Sequence, residues 1–278
     1  MMLSMQPDQD ILWMAPYAYF IVLLGFSLFL FKIFENWYGS SYNKPLFRNY
    51  FIYKKLSSGQ QGFLENNVAF YKKLSAKQKK QFQHRMVSFI SEKKFIGREG
   101  LEVTDRMQVL IAAVGCMLSF GRRNYSYSLV QFILVYPKEF YSVVGDGLHK
   151  GEFNPRERAL VLSWKDFEHG YKITDDNINL GIHEFMHAMH LESMQGKDID
   201  AARFSSQFQH ILALLTSLEL KEKLDNTPYF RAYAFTNQFE FMAVLAEYFI
   251  ESPKEFKSLF PDLYDHTKKL LNFSFAGY

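Results

Sequence analysis

From Ile11 to Phe31 the chain runs 21 residues without a charged side chain. At about 1.5 Å of rise per residue a helix of that length spans about 31 Å, the thickness of a bilayer's hydrocarbon core. Trp13, Tyr17 and Tyr19 stand near one end and Trp37 and Tyr38 just beyond the other, where amphipathic rings favour the two membrane interfaces. Pro16 falls in the first turn, where its missing N–H costs little. The alternatives are a buried helix and a cleavable signal peptide. A signal peptide would bring a positive start, a shorter apolar stretch and a small-residue cleavage site, and none of these is evident. Asp8 and Asp10 precede the run, whereas Lys32, Lys44 and Arg48 follow it, a bias that places the bulk of the chain in the cytoplasm. The expectation is a single-pass membrane protein with a tail at 1–10 and a transmembrane helix at 11–34.

The 278 residues allow one large domain or two small ones at roughly 150 residues each. Residues 51–100 hold eleven Lys/Arg against three Glu, a local +8 in a chain whose net charge is +3. Lys72, Lys73, Lys77, Lys79, Lys80 and Arg85 would be drawn to anionic inner-leaflet lipid or to nucleic acid, and the plainer alternative is a solvated helix face. No nucleic-acid recognition motif accompanies the charge, so no nucleic-acid partner is expected. Residues 35–70 read as a basic juxtamembrane segment. Residues 71–278 contain no low-complexity linker and no internal repeat, and read as one domain.

Within that domain Ser75-Ala76-Lys77-Gln78 forms a capping-box pattern ahead of Phe82, Met86, Phe89 and Ile90 at helical spacing. Arg106 to Phe120 has a twelve-residue apolar core, too short to cross a membrane, and reads as a buried helix. Phe132–Tyr136 and Ala159–Trp164 read as strands, with a loop containing Gly145, Gly147 and Gly151 between them. Helical patterns follow at Asn177 to about Met194, Ala201 to Leu224 and Asn237 to Ile250, the last stopped by Ser252-Pro253. Strands preceding helices point to an α+β fold rather than a doubly wound sheet.

The chemistry concentrates in His183-Glu184-Phe185-Met186-His187, an H-E-x-x-H sequence inside one of these helices. Positions i and i+4 share a helix face, so two imidazoles can converge on one zinc ion with Glu184 near enough to act on water held there. The plain alternative is two ordinary histidines and an ion pair between Glu184 and His187. The lone Cys116 leaves no thiolates to share, so any metal must rest on His and carboxylates. A catalytic zinc wants a third protein ligand. Glu240 is the best candidate, yet Asn237 with Glu240 three residues on is also a capping-box pattern, and spacing does not separate a cap from a ligand. His84, His149, His169, His210 and His266 have no ligand spacing.

Further segments carry a resemblance: Asn179-Leu180-Gly181-Ile182 leading into the motif, Ala232-Tyr233-Ala234-Phe235-Thr236-Asn237, Glu240-Phe241-Met242-Ala243-Val244, Glu247-Tyr248-Phe249 and Ser252-Pro253. With the two strands in order before them, they resemble the Mlc titration factor A family of zinc peptidases, gluzincins related to the catalytic domain of anthrax lethal factor. The resemblance runs from about Leu74 to the C-terminal helix. It implies a zincin-like α+β domain, zinc on His183, His187 and Glu240, Glu184 as general base and Tyr233 as a donor to the developing oxyanion. It implies hydrolysis of peptide or protein substrate laid beside an edge strand, taken to be Phe132–Tyr136 or Ala159–Trp164. The alternative implied by the same family is a regulator that sequesters a cytoplasmic partner such as a transcriptional repressor, with zinc structural. Two departures stand out: His190 occupies a position where the family often has Asp, and the apolar N-terminal segment has no counterpart in the soluble prototype. Glu247, two turns after Glu240, either supports a ligand or pairs with a basic residue at the surface.

Overall fold

A computed structural model describes residues 14–42, 53–142, 145–173 and 175–278. The expected tail at 1–10, Trp13, Lys44 and Arg48 lie outside the described residues. The chain forms two compact units, Met1–Leu46 and Phe47–Tyr278.

The first unit holds helix α1 (Ala15–Tyr42). Its stretch Ala15–Glu35, 21 residues, is long and apolar enough to cross a membrane, and none of the apolar window is buried against protein. The helix continues past residue 34, the end expected from the sequence. Lys32 and Glu35, an i,i+3 pair at 3.6 Å, are the first charges after the apolar run.

The second unit begins with α2 (Ser58–Asn67), α3 (Ala69–Lys72) and α4 (Ala76–Glu92). Both expected partners close the capping box at Ser75 and Gln78, and Phe82, Met86 and Phe89 are buried as the spacing predicts. Leu56, Leu64, Val68 and Phe70, from the segment expected to be juxtamembrane, join the same core. A four-stranded sheet runs in the order β1 (Lys94–Gly97), β2 (Phe132–Tyr136), β6 (Ala159–Ser163), β5 (Gly151–Asn154). β1, β2 and β6 are parallel and β5 is antiparallel to β6. Alternation sets the two faces. Ile133, Val135, Leu160 and Leu162 enter the main core, while Phe132, Leu134, Ala159 and Val161 pack with Phe140 on the other side.

Two expectations about the sheet are corrected. Phe132–Tyr136 and Ala159–Ser163 are interior strands, so neither offers a free edge; the edges belong to β1 and β5. The glycine-containing stretch between them is a hairpin of β3 (Phe140–Ser142) and β4 (Gly147–His149) followed by β5. Strands of three or four residues with charged or glycine neighbours have too short an alternation to announce themselves. Trp164 does not end a strand but opens α6 (Trp164–Lys172), capped by Ser163.

Helix α5 (Asp105–Leu118) is buried along most of its length. Helix α7 (Leu180–Gln195) lies against it, and Gly115 of α5 gives the Phe185 ring its space. The long helix expected from Ala201 to Leu224 is two, α8 (Ile199–Thr216) and α9 (Leu218–Asn226), because the Ser217 hydroxyl accepts from the Leu220 N–H and starts a new helix. A 3₁₀ turn at Ala232–Phe235 leads into α10 (Gln238–Glu251), whose residues Phe241 to Ile250 are all buried. α11 (Pro253–Leu259) and α12 (Pro261–Leu271) close the unit, each with proline in its first turn.

Candidate metal centre

Asn179 sets the start of α7. Its Oδ1 accepts from the Ile182 N–H at 3.1 Å, and its Nδ2 donates to Gly170 O at 3.0 Å and Glu251 Oε1 at 2.9 Å. From that start His183 and His187 fall one turn apart on one face, their rings 4.7 Å apart between centroids. The helix is apolar or buried nearly all round, with Ile182, Phe185, Met186 and Met189 in the core, so its register cannot slip without exposing them.

The first turn of α10 supplies the third group. Asn237 caps that helix alone, its Oδ1 accepting from the Phe239 and Glu240 N–H groups at 2.8 and 3.0 Å. The Glu240 side chain is therefore released from capping and turns to the histidines. Its Oε2 lies 2.8 Å from His183 Nε2 and its Oε1 3.5 Å from His187 Nε2. One donor atom from each of His183, His187 and Glu240 lies within 4.8 Å of the others.

The electrostatics of this cluster follow from burial and pairing. Burial opposes charge on His183, but hydrogen bonds to Glu240 and Glu247 outweigh it and raise its pKa to about 10. Burial likewise opposes charge on Glu240, yet His183 and His187 hold it well below the usual carboxylate range. Glu184 is buried, which raises its pKa against the pull of the two imidazoles. Burial and the nearby Glu240 raise the Tyr233 phenol to about 12, so it keeps its proton and remains a donor. Its ring centroid is 5.8 Å from that of His183.

The donor set fits a metal ion. Two imidazole nitrogens and one carboxylate oxygen suit zinc-like cations. The His183 Nε2–Glu240 Oε2 contact of 2.8 Å is a hydrogen bond, with a proton between the two atoms. The Nδ1 of His183 faces Glu247 Oε1 at 3.2 Å, which orients the ring so that Nε2 points to the shared position.

Glu247 is 1% exposed and also pairs with Arg231 Nη2 at 2.6 Å. Both sequence readings of Glu247 meet here, since it supports a histidine and pairs with a basic residue, but in the interior. His190 is not in the cluster. It sits among Phe204, Phe208 and Phe239, with ring centroids 5.1, 4.5 and 4.9 Å away, and burial lowers its pKa to about 4. His183, Glu184, His187, Tyr233 and Glu240 line a cleft of about 410 Å³ shared with Gly151 and Phe153 of β5 and with Met194 and Phe239.

The profile of the glucose-regulated metallo-peptidase M90 family matches residues 48–271. The chain belongs to this family. It is 29% identical over 231 residues to the uncharacterized protein slr2042 of Synechocystis, covering 75% of this chain and 82% of that one. It is 25% identical over 206 residues to Mlc titration factor A of Yersinia pestis and of Yersinia pseudotuberculosis, covering 66% of this chain and 75% of theirs. The resemblance to the Mlc titration factor A family thus holds, and a metallopeptidase family implies a metal. The match starts at residue 48, so α1 lies outside the part shared with the M90 profile.

Three site residues escaped the sequence reading. Arg231 bridges Glu247 and Asn177 O, the latter at 2.6 Å, and its only signal was a cation just ahead of Tyr233. Gly151 lies so close to α7 that a Cβ would stand 2.5 Å from Glu184 Oε1 and 2.6 Å from Leu180 Cδ1. Glu251 is tied to the cap of α7 through Asn179, a contact made across 72 residues of sequence.

Proposed function

We propose that this protein is a zinc-dependent peptidase anchored in a membrane by α1, with its second unit in the cytoplasm. The observation that carries the reading is the convergence of His183, His187 and Glu240 in one cleft with a buried Glu184 and a protonated Tyr233. His183, His187 and Glu240 would hold the zinc ion, which when bound would supply a Lewis acid to polarise a carbonyl and acidify water. Glu184 takes the proton of the attacking water and returns it to the departing amine, and its raised pKa suits both transfers. Tyr233 donates a hydrogen bond to the carbonyl oxygen as it gains negative charge. Glu247 holds the His183 ring, and Arg231 balances the Glu247 charge. Substrate backbone pairs with the open side of β5, the edge strand that carries Gly151 beside Glu184.

The test uses purified full-length protein, its metal content measured by plasma mass spectrometry and its turnover on a peptide mixture compared with Glu184→Gln. Zinc is expected in both, with turnover lower by about 10²–10⁴-fold in the variant. Absence of zinc from the wild type, or equal turnover in the two, overturns the reading. Resistance of the full chain to alkaline carbonate extraction from membranes tests the anchor separately.

The name of Mlc titration factor A favours a second reading, capture of a protein partner with a structural metal. A structural site has no use for a buried carboxylate and a phenol at its open side, which is why hydrolysis is preferred. Stable partner capture by the wild type and Glu184→Gln alike, without turnover in either, would reverse that preference.

A further inference from the structure

We propose that a basic cleft at the start of the second unit docks the phosphate headgroups of anionic lipid, an inference that rests on the membrane reading of α1. The cleft, about 510 Å³, is lined by Lys54, Lys55, Lys79 and Lys80, with Tyr53 and the buried Tyr71 as its aromatic walls. Its one carboxylate, Glu65, accepts from Gln61 Nε2 at 3.2 Å. Lys79 Nζ lies 5.0 Å from the centre of the Tyr71 ring. Among the described residues none of the four lysines forms an ion pair with a carboxylate. Lys72, Lys73 and Lys77, in the same stretch of sequence, are exposed and do not line the cleft.

The structure also separates this patch from cations that serve the fold. Arg85 is buried and donates to the carbonyls of Ser119 and Phe120, and Lys93 to those of Tyr127 and Val130. Besides Lys94 and Arg98 at β1, the remaining cations of residues 51–100 are seven lysines at 54–80, in a chain that is acidic on balance outside residues 51–100. Ala76, in the first turn of α4, also lines the cleft, so the positive end of that helix adds to the field.

Lipid is the occupant the covalent chain favours. Residues 43–52 alone join the end of α1 to Tyr53, and ten residues reach at most about 35 Å. A tether of that length lets the lysines reach the leaflet surface, where its negative potential acts within about a Debye length. They gather around one concavity rather than along a groove able to follow a phosphate backbone.

The full chain is reconstituted into phosphatidylcholine vesicles with or without phosphatidylglycerol and treated with an amine-reactive label, read residue by residue by mass spectrometry. Lys54, Lys55, Lys79 and Lys80 should label about fivefold more slowly in the anionic vesicles, an effect lost at about 1 M salt. Lys221 and Lys254, exposed on α9 and α11, should not change. In the quadruple variant K54Q/K55Q/K79Q/K80Q, Lys72 and Lys77 should label in anionic vesicles as they do in neutral ones. Equal labelling in the two lipids overturns the proposal, as does equal protection by free glycerol phosphate or duplex DNA in neutral vesicles. If carbonate strips the chain from both vesicles, the membrane reading falls and this proposal with it; if the chain is retained but its lysines label alike, only this proposal falls.

Discussion

At the scale of single residues, the centre is a chain of paired charges running inward from the cleft: Glu240, His183, Glu247, Arg231. Removing Glu247 frees the His183 ring and leaves Arg231 partly buried without its carboxylate. Glu247→Ala should weaken zinc binding by about 10–100-fold, measured by competition with a chelator, and unchanged affinity would count against a supporting role. Because His183 carries a proton up to about pH 10 in the metal-free protein, zinc must displace it. The same titration should therefore show affinity rising with pH, close to tenfold per unit between about pH 7 and 9; a flat profile would contradict the His183–Glu240 pairing. Gly151→Ala tests the approach of β5 to Glu184, the proposed general base. Its methyl displaces Glu184 while leaving the three donors in place, so turnover should fall by about tenfold or more at unchanged zinc content.

At the scale of elements, the motif works because α7 starts where Asn179 says it does. Asn179→Ala removes the cap and the buried hydrogen bonds to Gly170 and Glu251, and should lower stability by about 2 kcal/mol in denaturant unfolding. A change under about 0.5 kcal/mol would mean that neighbouring packing alone sets the helix start. The helices were the legible part of this fold, since Phe82, Met86 and Phe89 or Ile182, Phe185 and Met189 repeat at helical spacing over long stretches. β5 was not legible. Gly151, Glu152, Phe153 and Asn154 show no clean alternation, because the strand is short, lies at an edge and is shaped by the close approach of α7.

At the scale of the whole molecule, the centre joins α7 to α10 across 57 residues of sequence between His183 and Glu240. In the metal-free protein the ion pair does this joining, and its contribution depends on pH. His183, raised above its usual 6.5, stabilises fully below that value and loses the contribution as pH rises through about 10. Glu240, depressed below its usual 4.5, stabilises above that value and loses the contribution as pH falls through its lowered pKa. Chelator-treated protein should thus gain most from the pair between about pH 4.5 and 6.5, and added zinc should raise Tm more at pH 8 than at pH 6. A zinc-induced rise in Tm that is equal at both would show that the pair does not hold the proton.

By itself the sequence determined what is local or periodic: an uncharged run of membrane-spanning length, a helix bearing two histidines and a glutamate at fixed spacing, and the absence of a second cysteine. It left Glu240 suspended between cap and ligand, because both uses share one spacing. Tertiary structure removed the cap reading, since Asn237 alone satisfies the helix start and the carboxylate meets His183 instead. It also decided the partners of Glu247 and the strand that lies at the open edge. Those are relations between distant segments, set by how buried faces pack together, and no window of neighbouring residues contains them.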